Sequence, residues 1–245
     1  MMLQELALPK AEAPQRPRGV PAKRILEAEH ITKTFQEGRQ TVEVLRGISF
    51  GMEAGDVVAM EGPSGSGKTT LLSILGCILT PTSGRVVVDG TPVDPKRPKR
   101  LPEIRRRSIG FVFQQYNLFP ALSALENVEY ALTIKGVNAK KARAQAEYAL
   151  LRVGLADRLH FLPRDLSGGQ KQRVGVARAL AGEPPILLAD EPTANLDSGA
   201  GREVLQLFRD LAKLENRALL IVTHDPQVRE VADRVIHIRD GRLAG

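Results

Sequence analysis

The chain has 245 residues, 42% of them hydrophobic and 26% charged, with a formal net charge of +7 and a single cysteine, Cys77. That length and apolar fraction support one large α/β domain or two small ones with a packed core, and one cysteine excludes an intrachain disulfide. Apolar runs such as 70–79 and 218–222 fall well short of the roughly 20 residues that cross a bilayer, and the first residues carry no basic leader, so a soluble cytosolic protein is expected. The positive charge suits nucleic acid or an anionic lipid surface, and does not by itself choose between them.

Taken in chain order, residues 1–23 hold Pro9, Pro14, Pro17 and Pro21 among scattered charges, a composition expected to form an extended or disordered tail. From residue 24 onward short apolar runs alternate with helical patterns, which predicts an α/β domain with a largely parallel sheet. Strands are predicted near 57–61, 109–113, 186–190, 219–223 and 234–238. The stretch 116–181 breaks this rhythm, because its periodicity predicts consecutive helices near 123–135, 139–153 and 168–181 with no strand between them. A helical subdomain inserted into an α/β core of 24–115 and 182–245 is therefore expected. Cys77 stands among apolar neighbours and reads as a small core residue.

Residues 62–69 fit the pattern G-x-x-x-x-G-K-[ST] directly after a strand-like run, the context that pattern requires. Gly62, Gly65 and Gly67, with Pro63, Ser64 and Ser66 between them, let the backbone bend so that successive N–H groups converge on phosphate oxygens at a helix N-terminus. Lys68 would reach the β- and γ-phosphates, the Thr69 hydroxyl would ligate Mg²⁺, and Thr70 continues the cradle. The predicted strand 186–190 ends in two acids. Asp190 would hold Mg²⁺ near Thr69, and Glu191 is spaced to polarise an attacking water.

A second anion site is expected at 166–170. Ser167 and Gln170 have the spacing of a capping box, but Gly168 and Gly169 in the first helical turn cost about 1 kcal/mol each relative to alanine. A helix needing only a cap would not carry them. They are read as exposing N–H groups to an anion, and a head-to-tail pair of chains would then close two composite sites.

In order and spacing, the phosphate loop, 166–170, 186–191 and His224 resemble the ATPase domain of ABC transporters over essentially all of 25–245. The resemblance implies a phosphate-loop NTPase core, an antiparallel β subdomain near the N-terminus and the inserted helical subdomain. It also implies ATP and Mg²⁺ as ligands and a working homodimer. Gln114 is similar to the glutamine that senses Mg²⁺ and water and links the site to a membrane partner, with Gln115 leaving that assignment open by one residue. Asp197 lies in the stretch similar to the loop that joins the two sites across the dimer. His224 corresponds to the switch histidine on the γ-phosphate, and Phe35 to the aromatic ring against adenine, usually tyrosine. His30, His160 and His237 have no such context.

Residues 42–47, 117–120, 126–128 and 190–198 resemble more closely the lipoprotein-releasing, macrolide-exporting and glycolipid-exporting branch. That branch implies an integral membrane permease with few transmembrane helices and a large extracytoplasmic domain, and a peripheral position on the inner face of the cell membrane. Residues 95–107, with seven basic side chains, read as an irregular, proline-broken loop that is solvated or meets anionic headgroups or the partner. A nucleic-acid ATPase on the same motifs would carry two such domains, a long coiled coil or a zinc site. The chain has none of these, so no nucleic acid is expected as partner. A regulatory or cell-division ATPase acting on a membrane protein is left open by the motifs.

Overall fold

A computed structural model describes residues 24–244; the tail expected over 1–23 lies outside the described residues. The described chain begins with β1 (Arg24–Glu37) and β2 (Gln40–Glu53), followed by β3 (Val57–Glu61), α1 (Lys68–Leu75), β4 (Ser83–Val88) and β5 (Thr91–Val93). Next come α2 (Leu101–Ser108), β6 (Ile109–Val112), α3 (Ala124–Ile134), α4 (Ala139–Arg152) and α5 (Gly168–Leu180). The last elements are β7 (Ile186–Asp190), α6 (Ser198–Leu214), β8 (Ala218–Val222), β9 (Arg234–Arg239) and β10 (Arg242–Ala244).

The strands form two sheets. One is antiparallel, in the order β2-β1-β4-β5, and the other runs β10-β9-β3-β8-β7-β6. Within the second, β9, β3, β8, β7 and β6 are parallel and only β10 is antiparallel. A parallel strand is covered on both faces and should read as a continuous apolar run, as β3, β7 and β8 do. Alternate residues feed two separate cores. Val57, Ala59, Leu187, Ala189, Leu219 and Ile221 pack with α3 to α6, while Val58, Met60, Ile186, Leu188, Leu220 and Val222 pack with α1 and the antiparallel sheet. All twelve are at most 1% exposed, and each such side chain larger than alanine contributes roughly 1.5–3 kcal/mol of burial.

The five strands predicted from sequence are present, and 116–181 contains helices and no strand. The antiparallel strands were not placed individually, since β1 and β2 mix exposed and buried positions without a clean period of two. The segment 95–107 differs from expectation. It is a 3-10 turn, Pro98–Arg100, running into the helix α2. Pro102 stands in the first turn, where its missing N–H costs nothing, and Leu101, Ile104 and Ser108 form the buried stripe. Cys77 is fully buried, and burial pushes its thiol up to about 11.

Helix α5 approaches β6 closely enough that a Cβ on Gly110 would overlap the carbonyl oxygen of Ala179 and come within 2.8 Å of Leu187. Backbone cannot yield as a side-chain tip can. Gly110→Ala should therefore lose about 1–3 kcal/mol, read as a lower urea midpoint with an unchanged slope.

Candidate functional site

Four of the five parallel strands, β3, β6, β7 and β8, each release the chain at their carboxyl ends on one edge of the sheet, where ligands gather in open α/β folds. The loop after β3 is laid against its neighbours so closely that side chains are excluded. A Cβ on Gly62 (φ 155°) would overlap the Ile238 carbonyl oxygen, and one on Gly67 (φ 103°) would lie 2.7 Å from Leu45 Cδ2. Gly67 is also the N-cap of α1 and supplies no side-chain cap, which leaves first-turn N–H groups facing the loop's concave side. Lys68 is only 6% exposed and donates from Nζ to the carbonyl oxygens of Gly62 (2.7 Å) and Pro63 (2.9 Å). An ammonium has three hydrogens, so one is left for an anion. Ser66 Oγ is buried with no hydrogen-bond partner among the described residues.

A cavity of about 460 Å³ is lined by Ser64, Gly65, Gly67, Lys68, Thr69, Thr70, Gln114, Asp190, Glu191 and His224, with Val44 at one side. Ten residues singled out in the sequence, spread over 161 positions of chain, thus share one wall. Gly62, Pro63 and Ser66 belong to the same loop without lining the cavity, and neither does Gln115. Asp190 has its carboxyl pushed up by burial and by the neighbouring Glu191 charge, against the opposing pull of Lys68, a hydrogen bond with Thr69 and His224. Two adjacent acids in a half-buried position favour a cation between them and an anion. Among the described residues no group of three His, Cys, Asp or Glu could hold a metal. Mg²⁺ needs no such group, since it takes one or two protein oxygens and completes its shell with phosphate and water; Thr69, Asp190 and Gln114 line the cavity and carry oxygens.

Glu191 has a left-handed backbone, φ 45°, a conformation that costs a non-glycine residue about 1–3 kcal/mol and persists only where surroundings impose it. Its N–H donates to Val222 O of the adjacent strand at 2.8 Å, which holds the turn. The carboxylate meets His224, with Nε2 2.7 Å from Oε1 and the His224 N–H donating to Oε2 at 3.4 Å. The loop after β8 is pinned in turn. Thr193 Oγ1 donates to Asp225 Oδ2 (2.8 Å), and Asp225 caps the following 3-10 turn through the Gln227 N–H.

The remaining predicted residues lie elsewhere. Ser167 and Gln170 form the expected capping box at the start of α5, outside the cavity, as are Gly168 and Gly169. The two glycines have a local reason beside the expected one. A Cβ on Gly168 would lie 3.2 Å from Tyr116 Oη, and one on Gly169 3.2 Å from Ala200. Asp197 caps α6 through the N–H groups of Gly199 and Ala200. Phe35 is half-buried on β1, outside the cavity, with Lys33 Nζ 5.0 Å above its ring.

Sequence reasoning reached Asn117 and Asn195 only as parts of the resembling stretches and missed the contacts that tie these segments together. Asn195 Nδ2 donates to Gln114 O (2.9 Å) and Tyr116 Oη donates to Asn195 O (3.3 Å). Arg178 of α5 donates to the carbonyl oxygens of Tyr116, at 2.7 Å, and of Asn117. Tyr116 and Asn117 both take left-handed backbones, φ 56° and 49°. No motif marks Arg178, one basic residue among several on α5. Val44 falls in the stretch 42–47 that carries the branch resemblance, but nothing there marks it as a wall of the cavity. On the far side of this knot a groove of about 790 Å³ exposes Ile78, Phe119 and Ile134 and is edged by Arg105, Arg106, Lys135 and Arg178. Burial pushes Lys135 down to about 8, helped by the Arg217 charge.

Comparison with known proteins gives the family. Residues 45–194 match the family model described as ABC transporter. An uncharacterised ABC transporter ATP-binding protein of Thermotoga maritima is 48% identical over 223 residues, covering 91% of this chain and 95% of its own. The lipoprotein-releasing system ATP-binding protein LolD of Bordetella pertussis is 46% identical, covering 89% and 94%. The macrolide export ATP-binding/permease protein MacB of Syntrophobacter fumaroxidans is 48% identical over 89% of this chain, which spans 31% of that longer protein. Among solved structures, a dimeric post-hydrolysis state of the ATP-binding cassette MJ0796 bound to ADP and Pi superposes with a TM-score of 0.80 at 40% identity, covering 90% and 97%. The chain belongs to the ABC transporter family and is an ATP-binding, ATP-hydrolysing cassette of that family.

Proposed function

We propose that the cavity at the sheet's carboxyl edge is one half of an ATP hydrolysis site, and that residues 167–170 of a second copy complete it. One observation carries the reading: a cavity walled by the phosphate loop, Gln114, both acids and His224, with the second glycine-rich helix start of the same chain outside it. A cradle that does not serve its own cavity has a use when two copies meet head to tail. MJ0796, the solved relative, is a dimer, which supports that arrangement.

In this reading the N–H groups of 62–69 and the Lys68 ammonium bind the phosphate chain. Thr69, Asp190 and Gln114 supply oxygens to Mg²⁺, which when bound neutralises charge on the phosphates. Glu191 orients the attacking water and accepts its proton, and its left-handed backbone sets the carboxylate toward the cavity rather than back into the sheet. His224 holds that carboxylate now and can turn to the γ-phosphate, since its imidazole is 66% exposed. Phe35 would meet adenine. Ser167, Gly168, Gly169, Gln170 and Asp197 would serve the site of the other copy.

The groove beside α3 and α5 would take a cytoplasmic segment of a separate membrane permease. Arg178 edges that groove and also holds Tyr116 and Asn117, two and three residues past Gln114, so a change of nucleotide has a short route to the partner. Likeness to the cassettes of LolD and MacB favours a permease with few transmembrane helices and a large extracytoplasmic domain, and a place on the inner face of the cell membrane. The cargo would be exported or extracted by that partner.

Three variants test the assignment. Lys68→Ala removes the only side-chain cation of the loop, and nucleotide affinity measured by calorimetry should fall by at least tenfold, the weight of one or two charge-assisted hydrogen bonds. For Glu191→Gln, turnover should drop by about 10²–10⁴ with ATP binding retained, and a dimer should accumulate on size exclusion with ATP. Ser167→Arg should bind nucleotide like the parent as a monomer yet fail to dimerise; an ATP-dependent dimer of that variant would refute the composite site.

A further inference from the structure

Residues 94–107 carry seven cations against two acids, a net +5 out of +7 for the whole chain. None of them lines the nucleotide cavity. A merely solvated surface mixes both signs, and a single-sign field held on one ridge points to an anionic surface. The ridge is rigid, since Leu101 and Ile104 anchor α2 in the core and Pro95, Pro98 and Pro102 stiffen its approach.

Three of the seven cations have internal uses. Arg97 pairs with Asp94 (3.5 Å), Arg105 donates to Cys77 O (2.7 Å) and Arg107 to Thr91 Oγ1 (2.9 Å). The side chains of Lys96, Lys99, Arg100 and Arg106 are exposed and have no ion pair or hydrogen bond among the described residues. They are followed at once by apolar surface. Pro102 and Arg106 edge the same groove as Ile78, which is 46% exposed.

We propose that this ridge is a membrane-facing surface that binds anionic phospholipid headgroups. The segment has no aromatic residue on which a nucleic-acid base could stack, whereas a headgroup layer needs only charge and a short apolar flank. Charge and exposure define the surface by themselves. Its orientation toward a bilayer rests on the reading above, in which a membrane partner docks in the adjoining groove.

The test uses the full chain with sucrose-loaded vesicles of phosphatidylcholine, with or without about 30 mol% phosphatidylglycerol, and no permease. The protein should sediment with the anionic vesicles alone, and salt should release it. Each exposed cation near such a surface is worth roughly a fivefold change in partitioning, so the combined Lys96→Gln, Lys99→Gln and Arg100→Gln variant should bind about a hundredfold more weakly. Its ATP hydrolysis in solution should match the parent. Equal binding to both vesicle types, or a triple variant that sediments like the parent, overturns the proposal. So does displacement by a polyglutamate peptide or by single-stranded RNA at concentrations below those of the lipid, since that assigns the ridge to another partner class. Ile134→Asp separates the two readings: it should lose co-purification with the permease while keeping vesicle binding. Permease binding that survives this variant would fall on the groove alone.

Discussion

Asp190 and Glu191 stand side by side at the end of a strand whose other residues are fully buried, and the rest of the site answers to that pair. Adjacent carboxylates in a half-dry position repel each other and lose solvation, which is why the Asp190 carboxyl is pushed up. The fold offers three local compensations: the Lys68 ammonium, the Thr69 hydroxyl and the His224 imidazole. Lys68 and Thr69 follow β3 and His224 follows β8, at the same edge of the sheet, so the acids after β7 can be tolerated only if β3, β7 and β8 lie together in register. The parallel order of those strands is thus the structural condition for the chemistry.

The same edge carries a second set of contacts between distant segments. Gln114 leaves β6 into a turn whose carbonyl groups are all claimed: one by Asn195 of the loop before α6, two by Arg178 of α5, and that of Gln115 by the Asn117 N–H. Two successive left-handed residues, Tyr116 and Asn117, carry backbone strain there, and these hydrogen bonds hold it in place. The Gln114 turn, α5 and the 195 loop are thereby tied to one another through few atoms. The exposed apolar groove begins where Arg178 ends, so cavity and groove are opposite faces of one small knot.

Charge is distributed along a separate logic. The cavity balances Lys68 against two acids, while most of the net positive charge is gathered on the ridge of α2, away from the nucleotide. Composition alone made the protein basic; only the folded chain separates a local, compensated field from an uncompensated one.

The sequence by itself determined a good deal. Because a phosphate cradle needs glycines at set intervals and a buried strand reads as an apolar run, the loop 62–69, strands β3, β7 and β8, the acids after β7 and the cap Ser167 were legible from local pattern. Convergence was another matter. That Val44, 18 residues before Gly62, walls the same cavity, that Tyr116 and Arg178 bind one loop to another, and that Gly168 and Gly169 also make room for neighbouring side chains depend on contacts between distant segments. The segment 95–107 read as irregular because its prolines dominate a local scan, yet the packing of Leu101 and Ile104 made it helical. Local preferences write themselves into neighbouring residues, whereas a contact across a hundred positions leaves no mark until packing brings both ends together.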